Sequence, residues 1–383
     1  MTITRRHLMA FGAGLALGIP GTRALASAPL HLLAPAAYGE AAFLSSLKVV
    51  ARTGFDLQPL GGDDDALALL NPLPPGATAA QRAARPSLVI AAHPWLRGIL
   101  WPEGAVDPLG KDGSAPASDF ELAPGLRPGL AELEIGLEGH YLVGRPLRFE
   151  LAAVGVDSRR VSVSALDDIG LSLIDDPVLS GRYGLVADAR SLLPMAMLYC
   201  GLDPFRLQLD SELRRFEAGA HRLLERAAVV AATPAEAVAA LAEGRIDLAL
   251  PLGLGALAAA RLAGNPHLGV AVPGRGPLAG RAAFYILDML ALPIQCPQPE
   301  AARAIFAAIN SQPIVSALAH LGGLCPAAGL MAPGNADVLS GAERQALDFE
   351  AWPRLLGRCA AMALVPERRR LQPVLDAAIA ARK

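Results

Sequence analysis

Beyond residue 28, short apolar runs alternate with amphipathic stretches at helical spacing. Leu30–Ala34, Phe55–Leu60, Ser87–Ala91 and Phe149–Val156 read as strands, and Gly39–Thr53 as a helix. A second block adds strands at Gly170–Ile174, Gly184–Ala187, Ala228–Ala231, Ile246–Leu250, Leu268–Val272 and Ala283–Leu292. Helices are predicted at Ala189–Cys200, Ser211–Arg226, Pro234–Glu243, Ala256–Leu262 and Pro299–Asn310. The chain from Ala342 to Ala381 reads as helical throughout, and residues 102–132, rich in Pro, Gly and Asp, as irregular loops. Strands alternating with helices predict an α/β protein with mostly parallel strands. No internal repeat or low-complexity tract interrupts the pattern.

Composition narrows the function. The chain has 383 residues, of which 53% are hydrophobic and 18% charged, and its net charge is −2. That length predicts about two domains with ample core, which excludes global disorder. Without a basic excess to neutralise phosphates, nucleic acid is excluded as a partner.

The N-terminus predicts export. Thr4-Arg5-Arg6-His7-Leu8-Met9 precedes an apolar stretch from Ala10 to Gly21, closed by Arg23 and Ala24-Leu25-Ala26. Paired arginines, modest hydrophobicity and an Arg near a small-residue cleavage site predict a twin-arginine signal, cleaved after Ala26, with the translocon as transient partner. An uncleaved anchor is the alternative, but the stretch falls short of the ~20 residues of a membrane span. A soluble, monomeric periplasmic protein is therefore expected. Export permits a disulfide, and among Cys200, Cys296, Cys325 and Cys359 the pair to test first is Cys296–Cys325, with free buried thiols as the alternative.

Catalytic patterns are absent: no G-x-S-x-G, phosphate-binding loop or H-E-x-x-H occurs, and neither the His nor the Cys residues show metal spacing. Neither metal nor cofactor is expected, and no enzymatic activity. Gly253-Leu254-Gly255-Ala256-Leu257-Ala258 imitates a dinucleotide fingerprint, yet no acid stands between Asp247 and Asp288 to hold a ribose. It reads better as a glycine turn at a cleft edge whose backbone N–H groups face a ligand. Asp63-Asp64-Asp65 reads as a solvated loop, and Asp175-Asp176-Pro177 as a turn.

Three segments together resemble the spermidine/putrescine group of periplasmic substrate-binding proteins of ABC transporters. Arg145-Pro-Leu-Arg-Phe-Glu-Leu-Ala-Ala-Val-Gly-Val-Asp157 is similar to the family's strand crossing between lobes. Leu173-Ile-Asp-Asp-Pro-Val-Leu-Ser-Gly-Arg-Tyr-Gly-Leu-Val-Ala-Asp-Ala-Arg190 looks like its turn and following helix start. Ile286-Leu-Asp-Met-Leu-Ala-Leu-Pro293 with helix Glu300–Asn310 is similar to its returning strand. The resemblance implies an α/β fold of two discontinuous lobes closing on a small solute, delivered to permease and ATPase subunits. The expected division is 27–148 plus 284–340 for one lobe and 149–283 for the other, with the lobe of 341–383 left open.

Residue by residue, Asp288 matches the family's ligand-binding Asp and Asp188 the acid at a helix start, with Ser191 where a second acid would follow. Tyr38 stands in register with an aromatic of the first-strand loop. Phe149 and Ile286 replace aromatics, and Leu252 or Gly253 another, so most of the aromatic box is gone. Arg148, Glu150, His93 and Trp95 are new polar or aromatic groups at cleft positions. Arg148 with Asp288 suits a zwitterion, while an internal network of Arg148, Glu150 and Asp288 is the alternative. An amine-bearing or zwitterionic solute is expected. A periplasmic enzyme, or a degenerate homologue acting as sensor or scaffold, remains the alternative.

Overall fold

The computed structural model describes residues 28–109, 143–188 and 190–382; the export segment lies outside them, as does 110–132 of the expected loop region. The strands are β1 (Leu30–Pro35), β2 (Phe55–Leu60), β3 (Leu88–Ala92), β4 (Val106–Asp107), β5 (Arg145–Asp157) and β6 (Tyr183–Val186). They continue with β7 (Val229–Ala231), β8 (Leu248–Leu252), β9 (Leu268–Ala271), β10 (Phe284–Pro293) and β11 (Ala360–Ala361). They pair in the order β2-β1-β3-β10-β5-β8-β6-β7, with β4 and β11 on β10 and β9 on β5.

The sheet is mixed rather than mostly parallel. β1 runs parallel to β2 and β3, and β6 parallel to β7 and β8. The long strands β5 and β10 run antiparallel to each other and to β3 and β8. Each feeds two cores: Leu147, Phe149 and Leu151 of β5 pack with β1, β3 and Trp352, whereas Val154 and Val156 pack with β6 and the helix Leu192–Tyr199. A chain that crosses between two cores on antiparallel strands leaves a cleft where the cores part.

Three expectations fail locally. Gly170–Ile174 is not a strand; it lies in the 3₁₀ segment Gly170–Asp175, after a helix Val163–Ile169 that Ser162 caps through the amide of Ala165. Gly170 at φ 77° breaks that helix, and Pro177 follows too closely for a strand to form. Asp63-Asp64-Asp65 opens the helix Asp63–Leu70 instead of a loop. The C-terminal region is broken into helices Gly341–Ala346, Trp352–Arg358 and Arg368–Ala381 around β11. Trp352 packs in the first core, while Leu371 and Leu375 pack in the second. The expected turn at Asp176 does form, its carboxylate accepting the amide of Val178 at 2.9 Å. All four cysteines are free thiols, so the Cys296–Cys325 pair is not formed.

Among the described residues, no helix is long and apolar enough to cross a membrane.

Candidate functional site

Strand periodicity builds the site. Side chains two residues apart share a face of a strand. Along β5 only Arg148 and Glu150 are incompletely buried, and with Ala152 they line a cavity of about 330 Å³. On β10, Ile286 and Asp288 face the same space. The register sets Asp288 directly opposite Arg148 and Ile286 opposite Glu150. Asp188, Arg190 and Ser191 close the cavity from beyond β6, and Leu252 and Gly253 from the end of β8.

Asp288 is the electrostatic centre. Its Oδ2 accepts the Tyr38 hydroxyl at 2.8 Å and Arg148 Nε at 3.0 Å, and its Oδ1 pairs with Arg190 Nη1 at 3.5 Å. Arg148 also lies over the Tyr38 ring, 4.9 Å from its centroid, a cation–π geometry. Burial pushes the Asp288 pKa up, but Arg148, Arg190 and Tyr38 outweigh it and hold the carboxyl below its ordinary value. The same burial and the neighbouring Asp288 charge drive the Tyr38 phenol well above its usual range. Asp288 is thus an anion and Tyr38 a neutral donor at physiological pH.

Glu150 is held differently. Its Oε1 accepts the amide of Leu151 at 2.9 Å and its Oε2 the amide of Gly255 at 3.2 Å. Burial raises its pKa to about 7 against those donors and the charge of Arg148. The expected three-way network is therefore two units: Arg148 pairs with Asp288, and Glu150 binds the glycine turn. Asp188 holds the residue before the following helix; its Oδ2 accepts the amide of Ser191 at 2.9 Å and also the Ser191 hydroxyl.

Of the remaining candidates, Phe149 borders the cavity, and the others sit behind its wall or away from it. Tyr38 is fully buried beneath Asp288. The Phe149 ring is turned into the core, edge-on to Trp352 at 4.9 Å. His93 is fully buried; its Nδ1 accepts the amide of Leu287 at 3.1 Å, so Nε2 carries the proton and donates to Met362 O at 2.8 Å. Burial lowers its pKa to about 4, so it is neutral. Trp95 lies under the Arg368 guanidinium, 5.5 Å from the ring centroid, and lines a separate groove. Arg190, which no sequence motif marks as a site residue, lines the cavity; it ends the segment Leu173–Arg190, but nothing in that pattern says that it reaches Asp288 across 98 residues. Among the described residues, no group of three His, Cys, Asp or Glu side chains is placed to hold a metal ion.

Solved structures share this architecture. The spermidine/putrescine ABC transporter substrate-binding protein PotD from Streptococcus pneumoniae superposes with a TM-score of 0.63 at 11% identity, covering 93% of this chain and 100% of the other. The fold is that of the two-lobed periplasmic binding proteins. A putative spermidine/putrescine ABC transporter protein from Listeria monocytogenes gives 0.61 at 12% identity, covering 92% and 98%. The binding protein AgtB of A. tumefaciens R10, in complex with agropinic acid, gives 0.54 at 13% identity, covering 92% and 99%. No protein-family model and no curated protein matches the chain in sequence. In this binding-protein fold β5 and β10 are the long strands shared by both cores, and the cavity with its paired charges opens along them.

Proposed function

We propose that this protein is an exported, periplasmic solute-binding protein that closes two lobes on a small zwitterionic solute and hands it to an ABC permease and its ATPase. The lobes would be 27–148 with 284–340, and 149–283. Supporting the role are the fold, shared with solved ABC transporter proteins, and the charge-lined cavity at the crossing strands. One observation carries the ligand class: both oxygens of Asp288 already serve guanidinium groups. An acid so engaged is a poor partner for a polyamine ammonium, and the guanidinium groups of Arg148 and Arg190 line the same cavity. A solute carboxylate suits that side, and Asp188 and Glu150 suit an ammonium on the other.

Thermal unfolding of the purified protein with polyamines, amino acids, betaines, sugars and inorganic anions tests this. A solute at 100 times its Kd adds about 2.7 kcal/mol, enough to move the midpoint visibly. Amino acids or related amino-carboxylates are the expected stabilisers, and Arg190→Gln should weaken them about 10-fold or more, the value of one charged hydrogen bond. Stabilisation by putrescine and spermidine alone would overturn the zwitterion. Silence across the whole panel would overturn the solute-binding role.

A further inference from the structure

The glycine turn at the cavity edge is filled from within the protein. Gly253, extended, caps the helix Leu254–Leu262 without a side chain of its own, and the Glu150 carboxylate from β5 takes the Gly255 amide. Both glycines are shaped around that carboxylate. A Cβ at Gly255 would stand 2.8 Å from Glu150 Oε2, and one at Gly253 would collide with the carboxylate and with the Leu151 carbonyl. Glu150 nevertheless lines the cavity and is not sealed behind its wall.

We propose that Glu150 is the specificity-determining residue of this cavity: a built-in anion that occupies the donors of the glycine turn, bars solute carboxylates, phosphates and sulfates from that end, and turns a zwitterion with its ammonium toward Glu150. The orientation rests on the solute-binding reading; the exclusion of anions does not. Few other charges face Glu150. From its own strand comes Arg148; from the helix Leu254–Leu262, the backbone amides; from the Cys325–Pro326 turn, a thiol that burial raises to about 11 and keeps neutral. From β10 the opposite residue is the apolar Ile286, with Asp288 beyond it, held anionic by Arg148 and Arg190. Asp188 stands on the wall beyond β6. Protonation of Glu150 near neutral pH therefore removes the barrier to anions.

Inorganic sulfate is the probe, titrated into the full chain by calorimetry. At pH 8 the wild type should bind it at least 10-fold more weakly than Glu150→Ala, and Glu150→Gln, which keeps the shape without the charge, should fall between. At pH 5.5 the wild type should gain affinity while Glu150→Ala changes little. Equal sulfate affinity in wild type and both variants at pH 8 would overturn the proposal, even if amino acids bind. Conversely, a wild type that binds no solute on the panel but whose Glu150→Ala variant gains sulfate would remove the transport reading and leave the role of Glu150 standing.

Discussion

Replacing Asp288 with Ala is expected to lower the unfolding free energy by about 3–5 kcal/mol, the usual cost of stripping one partner from a buried ion pair. Asp288 is only 8% exposed, and it pairs with both Arg148 and Arg190. Without it the two guanidinium groups repel each other in a low-dielectric wall, and the Tyr38 hydroxyl loses its acceptor. Asp288→Asn keeps an acceptor for Tyr38 and should cost less, about 1–3 kcal/mol. Urea unfolding at pH 7.5 measures both, read as a lower midpoint with an unchanged slope. The pairing itself is isolated by a double-mutant cycle with Arg148→Met, for which contact implies a coupling of at least ~0.5 kcal/mol. A loss below about 1 kcal/mol for Asp288→Ala would mean that water reaches the pair freely. Solute binding should fail in the same variant, because Arg148 Nε is positioned by Asp288.

What was legible in the sequence follows what local patterns can encode. β1, β2, β6 and β10 stand within a residue or two of their apolar runs, because a buried strand needs little beyond apolar, β-favouring residues between breakers. The 3₁₀ segment at Gly170 has the same apolar look, and only Gly170 and Pro177 on either side decide against a strand. The two-lobed fold itself is shared with solved structures at 11–13% identity, since it depends on where the chain crosses between cores more than on particular residues. Charge partnership is another matter. Arg148 and Asp288 are 140 residues apart, and their union depends on a register that no local pattern specifies. His93 illustrates the converse: a polar residue at a family cleft position whose ring serves two backbone groups in the core. The glycine turn was legible as backbone N–H groups facing a ligand, but not that Glu150 of β5 would occupy one of them.

Two groups with opposite pH responses share one window, and separating them gives the second large effect. His93 has a pKa of about 4 when folded, against 6.5 as its ordinary value. Below pH 6.5 the unfolded chain takes up a proton that the folded one refuses, so stability is full above 6.5 and is lost as pH falls toward 4, by about 3 kcal/mol. Glu150 runs the other way, at about 7 when folded against 4.5. Between those values the folded chain holds the extra proton, so its contribution is full below 4.5 and is lost as pH rises through 7, by about 3 kcal/mol. From pH 6.5 to 4.5 the two slopes nearly cancel, and their sum in the wild type is close to flat. Glu150→Gln removes one slope and should lose about 2–3 kcal/mol more than wild type on acidification across that range. His93→Gln should do the reverse, gaining relative to wild type by a similar amount. Urea midpoints at pH 4.5, 5.5, 6.5 and 7.5 for the three proteins suffice, since every other titrating group is common to them and drops out of the differences. Parallel curves for wild type and Glu150→Gln would show that Glu150 titrates as a solvated acid, and the anion barrier at the glycine turn would then persist at pH 5.5.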